Sequence, residues 1–65
     1  MTMTDREWLH SVPTTGQITD AWRALGYSSG QRDSILYKVE RNLSFTEEEE
    51  IRFGQLVRVL RLLLR

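Results

Sequence analysis

The sequence predicts an all-α fold, a small bundle of four helices in one domain spanning residues 1–65. Three observations carry that expectation. Apolar residues recur at helical spacing, most clearly Ile18, Ala21, Trp22 and Leu25 at i, i+3, i+4 and i+7. Segments open on hydroxyl and carboxylate residues at capping-box spacing, Thr4 with Glu7, Ser44 with Glu47 and Thr46 with Glu49. The one stretch that alternates like a strand, Ile35–Val39, has no second strand to pair with.

The first helix is expected over about residues 5–11. Thr4 offers a hydroxyl to an orphan N–H, and Glu7 reaches back. Trp8, Leu9 and Val12 form its apolar side, and Pro13 stops it. The second helix is expected over about 17–25. Gly26 follows where a left-handed C-terminal cap is wanted, and Ser28-Ser29-Gly30 reads as a loop.

The third helix is expected over about 31–42, with Leu36, Val39 and Leu43 on its core side and Ile35 beside them. The fourth, over about 47–64, is the longest. Four glutamates fill its first turn and Arg58, Arg61 and Arg65 lie toward its end, each favoured there by the macrodipole. Glu48 and Arg52 form an i,i+4 pair in the better orientation.

Composition narrows the function. Nine Lys and Arg balance nine Asp and Glu, so the chain lacks the strongly basic surface of a typical nucleic-acid binder. The neutrality is segregated: residues 47–50 carry −4 and residues 51–65 carry +4. With no cysteine, disulfides, thiolate metal sites and thiol catalysis are excluded. One histidine makes no metal site, and no metal or cofactor is expected. No phosphate-loop motif is present. His10 is the only imidazole that could activate a hydroxyl, but its neighbour Ser11 points away from it on a helix. Consecutive carboxylates at Glu47–Glu50 fan outward rather than converge on a substrate. An enzyme is therefore not expected, nor is a small-molecule substrate.

The first dozen residues hold Asp5, Arg6 and Glu7 and no apolar run, so no secretory leader is expected. Arg58 and Arg61 interrupt the one long apolar stretch, so no membrane span is expected. A cytoplasmic protein is expected, of a kind that suits a bacterial or phage setting.

Two faces stand out as interaction surfaces. On the third helix, Ser34, Tyr37, Lys38 and Arg41 recur at i, i+3, i+4 and i+7 opposite the core side. Tyr and Arg are enriched at binding hot spots. On the fourth helix, Phe53, Leu56, Val57, Leu60, Leu63 and Leu64 share a broad face, while Ile51 and Leu62 fall opposite and Val59 at the edge. A helix apolar nearly all round asks for cover on several sides. A domain below about 70–80 residues commonly needs a staple or a second chain. A homodimer is therefore expected, with Ile51, Phe53, Leu56, Val59, Leu60, Leu62 and Leu63 at its interface and Gly54 allowing close approach.

Gly16-Gln17-Ile18-Thr19-Asp20-Ala21-Trp22-Arg23-Ala24-Leu25-Gly26 and Leu36-Tyr37-Lys38-Val39-Glu40-Arg41-Asn42-Leu43 together resemble the helix-turn-helix of Fis-type and NtrC-type regulators. The resemblance implies that the third helix would be a recognition helix, with Arg32, Ser34, Tyr37, Lys38 and Arg41 facing DNA. Two features depart from that family. The connection into the third helix reads longer than the family turn, and Trp22 stands where the family keeps a small residue. The reading expected first is a non-catalytic regulator that binds a partner protein and inhibits or redirects it as a homodimer. The alternative is a dimeric helix-turn-helix regulator of transcription.

Overall fold

The computed structural model describes residues 2–64, and all four helices are present in the expected order. They are α1 (Asp5–Ser11), α2 (Thr15–Ala24), α3 (Ser29–Arg41) and α4 (Glu47–Leu63). The described residues contain no strand. The radius of gyration is 10.9 Å, against about 11 Å for a folded domain of this length.

Three of the four N-termini carry a complete capping box. Thr4 with Glu7 opens α1, Thr14 with Gln17 opens α2, and Thr46 with Glu49 opens α4. In each, the hydroxyl accepts from the third helical N–H while the longer side chain accepts from the cap N–H. Of the two overlapping boxes expected at α4, Thr46 is therefore the cap and Ser44 lies outside. The Thr14 box explains why α2 begins at Thr15 rather than Gln17.

The α2–α3 connection is the main local correction. Ser29 and Gly30 are helical, so the expected loop shrinks to four residues, 25–28. The first helical N–H groups need no intrahelical partner, so a small residue such as Gly30 is tolerated there. Gly26 takes φ +79° and turns the chain after α2. At the far end of α3, Asn42 adopts the left-handed conformation at φ 55°. The Leu43 N–H then bonds back to the Lys38 carbonyl, closing the helix with a Schellman-type contact. That reversal carries Leu43 off the helix and out of the core side assigned to it; it is 43% exposed.

The core is wholly apolar. Leu9 of α1, Ile18, Ala21 and Trp22 of α2, Ile35 and Val39 of α3, and Phe53, Leu56, Val57 and Leu60 of α4 form one buried cluster. Ile35, not Leu36, is the central residue of α3. The principal contacts are α2 with α4, α1 with α3, and α2 with α3.

Trp22 is the largest fully buried side chain. Its indole N–H donates to the Ser28 carbonyl at 2.6 Å and its ring lies 5.0 Å from that of Tyr27. One side chain thus pins the corner that aims α3. The short α1 is held by two arginines. Arg6 donates to the Leu43 carbonyl at 2.6 Å and stacks 4.1 Å over Phe45, satisfying a carbonyl just beyond the end of α3. Arg61 of α4 pairs with Asp5 at 3.1 Å and lies 4.5 Å over Trp8.

Candidate functional site

The outward side of α3 follows from its inward one. Burial of Ile35 and Val39 turns Ser34, Tyr37 and Arg41 to solvent. Tyr37 is 53% exposed, which is unusual for so large an amphipathic ring with no core role. The Arg41 guanidinium stacks 4.6 Å from its centroid. The pair forms a flat aromatic and cationic patch at the middle of the helix.

The two other cations of this face are engaged elsewhere. Lys38 leans toward α4 and binds Glu49 at 2.5 Å. Arg32 pairs with Asp33 at 3.0 Å and donates to the Thr19 hydroxyl at 3.2 Å. Both arginine contacts fix a long side chain against α2 and α3. Of the five residues expected to meet a partner, the structure leaves Ser34, Tyr37 and Arg41 together and exposed, and turns Lys38 and Arg32 to ion pairs within the chain.

Glu49 is the complement of Lys38. Its carboxyl is held below the ordinary value of 4.5, first by the Lys38 ammonium hydrogen bond and then by the Thr46 backbone N–H. A sequence reading that treats Glu47–Glu50 as one solvated run misses this division of labour. Glu48 pairs with Arg52, Glu49 joins α4 to α3, and Glu47 and Glu50 face solvent.

The second surface lies on α4. Ile51 and Leu62 are 59% and 57% exposed and, with Gly54, Gln55 and Arg58, line an open groove along the helix. The expected dimer interface needs correction here. Phe53, Leu56 and Leu60 are buried in the chain's own core and are closed to a second chain. Val59 is half-buried. Ile51, Leu62 and Leu63 remain exposed. Gly54 lines this face as expected; Gln55 and Arg58 belong to it as well, and their spacing of four and seven residues from Ile51 already places them there.

Among the described residues, the one histidine and its neighbouring hydroxyl do not meet. His10 is exposed on α1, and the Ser11 hydroxyl donates to the Glu7 carbonyl instead of to the imidazole. Among the described residues no cluster of three or more His, Asp or Glu side chains is placed to hold a metal ion. No described helix is long and apolar enough to cross a membrane. Compared with models of protein families, with curated proteins and with solved structures, the chain matches none.

Proposed function

We propose that this chain is a small non-catalytic regulator that acts as a homodimer and docks onto a partner protein through the outward face of α3, inhibiting or redirecting it. One observation carries the reading. Tyr37 stands exposed at the middle of α3 under the Arg41 guanidinium, while Lys38 and Arg32 are tied into ion pairs. A rigid aromatic with an adjacent arginine has the chemistry of a protein-binding hot spot. A DNA surface needs several free cations, because phosphate neutralisation supplies much of its affinity.

The alternative, a dimeric helix-turn-helix regulator, draws support from the four-residue α2–α3 turn that contains Gly26. The two readings separate in one pair of measurements. Docking on a protein predicts that Tyr37→Ala weakens a captured partner by roughly 30-fold, the value of a typical hot spot. It also predicts duplex binding that is weak and indifferent to sequence. Tight duplex binding at physiological salt, with a salt slope reduced by about one for each of Lys38→Ala and Arg41→Ala, would overturn the protein-docking reading in favour of DNA.

A further inference from the structure

The outward face of α4 is symmetric about its own middle. Ile51 and Leu62 are eleven residues apart in sequence. On a helix that spacing brings them to within about 20° of the same face and about 16 Å apart along the axis. Both are more than half exposed, and Gly54, Gln55 and Arg58 lie between them in the same groove. The midpoint falls between Leu56 and Val57.

Charge is opposed about that same midpoint. Glu47 to Glu50 fill the first turn of α4, where Arg52 offsets only Glu48, and Arg58 and Arg61 lie in the second half. A second α4 laid parallel sets glutamates against glutamates and Arg58 against Arg58. Laid antiparallel, it sets the acidic end of each helix against the basic end of the other and opposes their macrodipoles. A two-fold axis through the midpoint produces this arrangement and seats each exposed aliphatic on the other.

We propose that the α4 groove is filled by a second copy of this chain, antiparallel, with Ile51 against the partner's Leu62 at both ends of the contact. The inference rests on the dimeric reading above and adds its surface, direction and register. Helical geometry then lays Arg58 across the partner's Gly54, where no side chain stands within 4 Å of the Cβ direction and the long stem can pack on bare backbone. It also sets Arg61 beside the partner's Glu50, a carboxylate that faces solvent in the single chain. The core face of α4 takes no part, since Phe53, Leu56 and Leu60 are already buried.

Because the chain has no cysteine, the register can be read by cross-linking. Ile51→Cys and Leu62→Cys proteins are prepared separately, mixed and mildly oxidised. The expected result is a disulfide-linked dimer in the mixture and little in either protein alone. The wild type is expected to sediment at twice the 7.7 kDa chain mass. Leu62→Glu, at a site exposed in the single chain, keeps its helical circular dichroism and weakens the dimer by about a hundredfold or more, since the contact occurs twice. A wild type that sediments as a monomer up to millimolar concentration overturns the proposal. So does cross-linking of Ile51→Cys to itself as readily as to Leu62→Cys, which marks a parallel pair. Tyr37→Ala separates the two surfaces: it leaves this dimer intact whether or not docking by α3 is correct, and its conversion to monomer would overturn the α4 assignment.

Discussion

Replacing Trp22 by phenylalanine tests how the α2–α3 corner is held. The indole is 2% exposed and donates its N–H to the Ser28 carbonyl at 2.6 Å. That carbonyl also accepts the first helical bond of α3, from the Arg32 N–H. Losing the indole donor therefore does not orphan it, and the hydrogen-bond loss stays near the ordinary net value of about 1 kcal/mol. Phenylalanine fills the inner ring position but leaves a void of about 40 Å³, worth about 1 kcal/mol at about 24 cal/mol per Å³. The hydrocarbon no longer buried adds up to about 1 kcal/mol. The sum is about 2–3 kcal/mol. A chain of 65 residues has a total stability of roughly 3–10 kcal/mol, so the change is severe but survivable. At an unfolding entropy of about 2.1 cal/mol/K per residue, the midpoint should fall by roughly 15–20 °C. The assay is a far-UV circular dichroism melt at one fixed protein concentration, because the proposed dimer would make the midpoint concentration-dependent. A fall of less than about 5 °C would refute the placement of Trp22 as the bonded, close-packed pin of this corner.

Three further outcomes follow from local geometry and charge. Gly26→Ala places a methyl in open space but at φ +79°, so its expected penalty is backbone strain alone, about 1–2 kcal/mol in urea unfolding. Gly30→Ala also meets nothing and sits in helical backbone, so it should stabilise by up to about 1 kcal/mol; the same sign for both glycines would contradict the turn geometry. The third concerns acid. Glu49 has a depressed folded pKa, so its contribution is fully present above 4.5 and is lost as the pH falls through the lower folded value. Lys38→Met removes the principal cause of the depression. Stability should therefore fall less steeply below pH 4.5 in this variant than in the wild type. Parallel acid profiles would show that the Lys38–Glu49 pair is not formed in solution.

Much of the local structure was legible because it is encoded locally. Capping boxes at Thr4 and Thr46, the stop at Pro13 and the left-handed Gly26 each depend on residues within one turn of the boundary they set. The Thr14-x-x-Gln17 box carries the same signal and sets the start of α2 two residues before the expected Gln17. The α3 core side was misread for a different reason. Leu36, Val39 and Leu43 fit a helical stripe only if the helix continues through Asn42, and the left-handed turn there ends it. The outward face of α3, proposed here as a docking face, was half legible. Periodicity placed Ser34, Tyr37, Lys38 and Arg41 outward as a group, but gave no sign that Lys38 would reach Glu49 on another helix.

Local signals along the chain specify four helices, their order, most of their ends, and a fourth helix too apolar for one covered face. These follow from backbone satisfaction and hydrophobic periodicity, which act over one to three turns. Packing of the whole chain settles which side of α4 it covers, burying Phe53, Leu56 and Leu60 and leaving Ile51 and Leu62 exposed. Only it decided that Arg6 and Arg61 would anchor α1, through contacts 37 and 56 residues away in sequence. Such pairings depend on how helices are juxtaposed. Helix juxtaposition is set by the packing of the shared core, to which no single helix holds the complement.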